Sequence, residues 1–196
     1  MRVLVACEYS GTVRDAFAAL GHDAMSCDLL PTDSQGNHYQ GDVRDVLDDG
    51  WDLMIAHPPC TYLAVSGLHW NKRVPGRSEK TEEALAFVRL LLDAPIERIA
   101  LENPVSCISS RIRKPDQIIQ PWWFGDDASK KTCLWLKNLP PLVETDRLAG
   151  DSSTRRANQT ASGQNKLPPS ADRWKIRSKT YPGIARAMAQ QWSEGL

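Results

Sequence analysis

Along the chain, short unbroken apolar runs take turns with segments in which apolar residues recur every three or four positions. Residues 3–7 form an unbroken run rich in valine and read as a strand buried on both faces. A polar turn, Glu8-Tyr9-Ser10-Gly11, leads to Val13, Ala16, Phe17 and Leu20, whose spacing predicts a helix closed by Gly21. A second strand is expected over 23–27, ending at Asp28, and a short helical or turn segment over 46–49 after Gly41-Asp42-Val43. Residues 51–56 (WDLMIA) predict a third strand, stopped by Pro58-Pro59. Residues 80–94 make an amphipathic helix with Leu85, Val88, Leu91 and Leu92 on its apolar face, and 98–102 (RIALE) the next strand, ending at Asn103-Pro104. Weaker strand patterns cover 117–120 and 132–136. Residues 137–179, rich in Pro, Gly, Ser and Asn, predict loop, and a last helix runs from Pro182 toward Trp192.

Strands alternating with helices predict an α/β fold: a Rossmann-like, doubly wound, mostly parallel sheet in a single domain spanning 1–196. In such sheets ligands bind beyond the carboxyl ends of the strands. The polar residues there are Glu8, Ser10 and Gly11, then Asp28, Asp42, 57–60, and Glu102-Asn103, and all are expected on one rim. At 196 residues, with 41% hydrophobic and 24% charged positions, the chain is long enough to bury its own core. No run approaches the roughly 18–20 apolar residues of a membrane span, and the MRVLVAC start reads as a strand rather than a signal peptide, which predicts a cytoplasmic protein.

Net charge is zero but unevenly spread, −7 through Ser106 and +7 from Cys107 onward. This suits an acidic cofactor side and a basic, phosphate-facing side, and solvation alone also accounts for it. The five cysteines (Cys7, Cys27, Cys60, Cys107, Cys133) are scattered, with no zinc-type spacing, and four of them read as buried reduced thiols.

The glycine turn after the first strand is a common cradle for a nucleotide-bearing cofactor, though a plain tight turn would look the same. Asp28, at the next strand end, is placed to accept both hydroxyls of a ribose, and Asp42 to accept from an adenine amino group. Each acid alone would pass for a helix cap; in this order they point to an adenosine site. The densest signal is 52–67, DLMIAHPPCTYLAVSG, where two prolines rigidify a turn and project Cys60 from the rim as a candidate nucleophile.

This segment resembles the catalytic motif of cytosine-C5 DNA methyltransferases, in which Pro-Pro-Cys after a buried strand carries the nucleophile. Tyr62, Ser66 and Gly67 are comparable to the aromatic, small residue and glycine that follow it. Glu102-Asn103 resembles the family's Glu-Asn at the end of a later strand, with Pro104 where a valine is usual. Gly41-Asp42 is similar to the adenine-contacting acid, Arg111-Ile112-Arg113 to an Arg-x-Arg motif, and 180–194 to the closing helix.

The resemblance implies a class I methyltransferase fold with S-adenosyl-L-methionine held by Glu8, Ser10, Gly11, Asp28, Asp42 and Pro58. It implies that Cys60 adds to carbon 6 of cytosine, that Glu102 holds N3 and the exocyclic amine, that Asn103 fixes the loop, and that Arg111 and Arg113 steady the ring oxygen and a phosphate. A base within a duplex would be flipped out first.

There are departures. Gly11 alone remains of the family's first glycine turn, and Glu8 brings a carboxylate to the expected methionine end. His57 and Thr61 flank the motif where glycine and glutamine are usual, and His57 reads as a hydrogen-bonded structural histidine. The large target-recognition region is missing, and 143–179 stands in its place with Arg147, Arg155, Arg156, Lys166, Arg173, Lys175, Arg177 and Lys179, either tracking phosphates or simply solvated. Trp122-Trp123-Phe124 is expected in the core. The expected partner is DNA, recognised with low sequence specificity, and the resemblance includes compact bacteriophage proteins. Modification of a free nucleotide or RNA base, and a non-catalytic subunit needing a separate recognition partner, stay as alternatives. No metal is expected.

Overall fold

The computed structural model describes residues 1–193; residue 194, the expected end of the closing helix, lies outside them. Strands β1 (Arg2–Ala6), β2 (Asp23–Asp28), β3 (His38–Gln40), β4 (Leu53–Ala56), β5 (Arg98–Pro104), β6 (Gln117–Ile119) and β7 (Thr132–Lys137) form one sheet in the order β3-β2-β1-β4-β5-β7-β6. The first five are parallel to their neighbours, and β7 runs antiparallel to both β5 and β6. This is the doubly wound Rossmann order with one reversed strand inserted between the last two positions. The expected fold class holds.

Both faces of the sheet are covered, as the unbroken apolar runs of β1 and β4 require. Val3, Val5, Leu53 and Ile55 pack under Val13 and Phe17 of α1 (Thr12–Ala18) and under Ile184, Met188 and Trp192 of α5 (Pro182–Ser193). On the opposite face Leu4, Met54, Ile99 and Leu101 pack against Leu85, Val88 and Leu91 of α2 (Arg77–Leu92). Trp122 and Phe124 are buried as expected.

Several boundaries differ from the sequence pattern. Helix α2 begins a turn early, because Gly76 adopts a left-handed conformation that lets the chain turn into it. β3 lies within a polar stretch, after a loop that Arg14 ties to β2. This α1 residue is 1% exposed, and its guanidinium donates to Ser26 Oγ, Thr32 Oγ1, Ser34 Oγ and the Gln35 carbonyl. Residues 65–72 form a 3-10 segment, and 108–111 a short helix, α3 (Ile108–Arg111). The long stretch expected to be loop contains α4 (Arg173–Ser178). No helix among the described residues is long and apolar enough to cross a membrane.

Candidate active site at the carboxyl rim of the sheet

Strands β4 and β5 are neighbours in register, Ala56 opposite Leu101, so the residues just beyond them meet. The His57 N–H continues the ladder to the Ala6 carbonyl on β1 (2.9 Å), so the backbone of His57 still runs as part of the sheet. His57 Nδ1 lies 3.1 Å from Glu102 Oε2, with both side chains more than nine-tenths buried. Asn103 Nδ2 donates to the Pro58 carbonyl (2.9 Å) and ties the proline turn to β5. Cys60, next along, is exposed. Its own carbonyl accepts from the Leu63 and Ala64 N–H groups, so the nucleophile candidate sits on a tight, well-bonded turn.

The electrostatics tie three groups together. Burial acts to raise the Glu102 carboxyl, but the Lys130 ammonium 4.0 Å from Oε1 and the His57 hydrogen bond outweigh it, and Glu102 is held below the ordinary carboxylate range. Glu102 is therefore an anion, and His57 Nδ1 is the donor between them. Loss of hydration around the sulfur raises the Cys60 thiol, the Glu102 charge raises it further, and Lys130 and Arg177 work in the opposite direction. His57 Nε2, Glu102 Oε1 and Asn103 Oδ1 are buried without a hydrogen-bond partner. Orphaned polar atoms clustered at one rim are costly unless something polar binds there.

A cleft of about 250 Å³ opens beside this cluster. It is lined by Cys7, Cys27, Asp28, Asp42, Val43, Pro59 and Phe87, among others. Burial raises the Asp28 carboxyl, while the N–H of Leu30, donating to Oδ1 (2.9 Å), pulls it down. The Arg44 N–H and guanidinium both bind Asp42 and hold its carboxyl below the usual range. Burial and the nearby Asp28 raise both cleft thiols, Cys27 to about 12, which makes them inert as nucleophiles. Cys7 sits at φ 59°, a strained left-handed conformation at the end of β1.

Several residues singled out from the sequence are placed differently. Glu8 turns away from the cleft: Oε1 accepts from the Val13 N–H (2.7 Å) and Ser10 Oγ (3.2 Å), and Oε2 from the Arg14 N–H (3.2 Å). Ser10 Oγ accepts in turn from the Thr12 N–H (3.3 Å). The start of α1 thus carries its own anion, which answers the free N–H groups and dipole that a bound carboxylate or phosphate would otherwise meet. Gly11 makes the turn at φ 73°, and a side chain there would strike Ser34 and Arg14 rather than line a pocket. Pro58 is buried, and Pro59 takes its place in the cleft wall.

Arg111 binds both oxygens of Glu82 on α2, and Arg113 binds Asp116 and the Leu136 carbonyl, so both guanidiniums are committed elsewhere. The cation beside Glu102 is Lys130, which the sequence reading did not single out. Asp28, Asp42, Cys60, Glu102 and Asn103 do gather along one rim.

No protein-family model matches the chain, and no curated protein matches it. Among solved structures it is similar to a candidate DNA modification methyltransferase encoded within an E. coli prophage, at 15% identity and a TM-score of 0.44. The match covers 69% of this chain, and the chain spans a little under half (46%) of that structure.

Proposed function

We propose that the chain transfers a methyl group to carbon 5 of a cytosine through a transient bond between Cys60 and carbon 6. The observation that carries this reading is the meeting of Cys60, Glu102 and Asn103 at the ends of two adjacent parallel strands, beside orphaned polar atoms and an acid-bearing cleft.

The cleft fits the nucleoside part of S-adenosyl-L-methionine. Asp28 is placed for ribose hydroxyls, Asp42 for an adenine amino group, and Val43 and Phe87 for the faces of a planar ring. At about 250 Å³ it falls short of the ~300 Å³ lower end of ordinary ligand pockets, which suits part of the molecule rather than the whole. Bound there, S-adenosyl-L-methionine supplies an electrophilic methyl group.

Cytosine carbon 5 becomes nucleophilic only after an addition at carbon 6, and the Cys60 thiol, carried on an exposed turn, is the group available for it. The resting site holds the thiol protonated, because loss of hydration around the sulfur and, after it, the Glu102 charge close by both oppose its ionisation. A base whose exocyclic amine donates to Glu102 Oε1, the orphaned oxygen, spreads that charge and removes the Glu102 share of the opposition to the thiolate. His57 donates from Nδ1 to the other carboxylate oxygen and holds Glu102 oriented toward the base, and the ring nitrogen takes its proton from solvent as negative charge builds there. Asn103, bonded to the Pro58 carbonyl, keeps the Cys60 turn in register with Glu102. The thiol proton passes to solvent as sulfur adds to carbon 6; once carbon 5 carries the methyl group its proton also passes to solvent, and the carbon 6–sulfur bond breaks to return the Cys60 thiolate.

An oligonucleotide carrying 5-fluorocytosine tests the chemistry. Fluorine cannot leave as a proton does, so wild-type protein incubated with it and S-adenosyl-L-methionine is expected to keep a denaturation-resistant mass adduct at Cys60, which Cys60→Ser abolishes along with turnover. Methylation of ordinary cytosine by Cys60→Ser at the wild-type rate would refute the reading.

A further inference from the structure

Two acid-free stretches border Cys60. From Cys60 to Ser78 there is no Asp or Glu, and the stretch carries Lys72, Arg73 and Arg77. From Arg173 to Ser193 there is again none, and α4 with the residue after it carries Arg173, Lys175, Arg177 and Lys179. Among the described residues only Lys179 of these cations has a carboxylate partner, Asp33 (2.7 Å). A chain with zero net charge thus concentrates unpaired positive charge on two segments.

Each segment also exposes large apolar side chains that a folded chain normally hides. On the first, Trp70 is 46% exposed beside Val65 and Val74, with Arg73 over its ring and His69 tilted against it. On the second, Trp174 is 56% exposed beside Ile176, with Lys175 near its ring. The first segment is bound to the Cys60 turn through Arg77 Nη2, which donates to the Thr61 carbonyl (3.0 Å) while its guanidinium lies over Tyr62. The second is anchored at the end of β1, where the Tyr9 hydroxyl donates to the Lys175 carbonyl (2.7 Å), and Arg177 lies near enough to bear on the Cys60 sulfur.

We infer that these two segments are opposing walls that grip an unpaired nucleic-acid strand across Cys60, with Trp70 and Trp174 stacking bases and the flanking cations meeting phosphates. An exposed indole beside unpaired cations, repeated on both sides of one rim, is what a single strand needs: every base has a face to stack, and every nucleotide brings a charge. A free nucleotide would engage one wall at most. A duplex keeps its bases stacked on one another and would use the cations while leaving the indoles idle. The inference rests on the proposed chemistry for its cytosine, but the grip itself is measurable without turnover.

The test is fluorescence anisotropy of the full-length protein with a labelled 15-nucleotide single strand containing cytosine, the same sequence as a duplex, and dCMP as competitor. The single strand is expected to bind more tightly than the duplex, with affinity falling steeply with salt, and dCMP is expected not to compete at equal nucleotide concentration. Trp70→Ala and Trp174→Ala should each weaken single-strand binding about tenfold or more, and Trp174→Phe should restore most of the loss. Both side chains are half exposed, so unchanged circular dichroism and melting will show that the variants fold. Wild-type affinity in both alanine variants, or tighter binding of duplex than single strand, overturns the inference. Loss of the Cys60 adduct while single-strand binding keeps this pattern would instead refute the chemistry and leave the grip standing.

Discussion

The imidazole Nδ1 of His57 stands 3.1 Å from Oε2 of Glu102, and the far nitrogen of the same ring is buried without a partner. The pair is built by register: β4 and β5 run side by side, and the residue after β4 falls beside the last acidic residue of β5. His57 thereby holds the carboxylate oriented and supplies a donor to one oxygen, leaving the other without a hydrogen-bond partner. His57→Ala is expected to cut the methylation rate about tenfold or more while the dissociation constant for S-adenosyl-L-methionine stays at its wild-type value. Single-turnover kinetics alongside calorimetry separates the two. Equal losses in both would make His57 part of the cofactor site instead.

Ionisation of the Cys60 thiol is opposed by burial and then by the Glu102 charge, and favoured by Lys130. Removing the anion should lower the pH at which the thiol ionises, and removing the cation should raise it. Rates of iodoacetamide labelling at the Cys60 peptide, measured against pH, should therefore shift to lower pH in Glu102→Gln and to higher pH in Lys130→Gln. A Lys130→Gln profile that overlays the wild type would mean that Lys130 exerts no field on the sulfur.

Glu8 is expected to matter for folding and not for the cofactor. Its carboxylate serves the Val13 and Arg14 N–H groups at the buried start of α1, so Glu8→Ala should cost about 2 kcal/mol in urea unfolding. Donor affinity in the surviving folded protein should be unchanged; a tenfold weakening would return Glu8 to the binding site.

Asp28 faces the cleft with a carboxyl raised by burial above its ordinary 3.8. Asp28→Ala should weaken donor binding by about 1.5–3 kcal/mol, the worth of hydrogen bonds to a charged acceptor. Because the charged form is the better acceptor and its pKa is raised, wild-type affinity should begin to fall at a higher pH than an exposed aspartate would allow. Calorimetry across acidic pH checks this, and a flat profile in the wild type argues against ribose contact by Asp28.

The sequence by itself determined an α/β sheet covered on both faces and the placing of the ends of β1, β2, β4 and β5. Unbroken apolar runs at β1, β4 and β5 can only be satisfied by cover on both faces, and the helical spacing of 13–20 and 80–94 supplies that cover. Pro58-Pro59 stops β4 wherever β4 packs, so Cys60 had to emerge at a strand end, and Asp28 likewise. These are local facts, fixed by residue type and period.

What only the tertiary structure decided is which side chains face one another. The backbone at the start of α1 claimed the carboxylate of Glu8, because the first N–H groups of a helix have no partner within it and those of Val13 and Arg14 lie only five and six residues on. Arg111 and Arg113 found Glu82 and Asp116, partners distant or inconspicuous in sequence, before they could reach the rim. Lys130 arrived beside Glu102 for a reason no pattern of apolar positions contains: β7 runs antiparallel to β5, with Thr132 opposite Pro104 and Cys133 opposite Asn103. Strand direction sets which end of β7 meets the rim. Had β7 been parallel, the residues preceding Thr132 would lie at the far edge of the sheet, and Glu102 would be without its nearest cation.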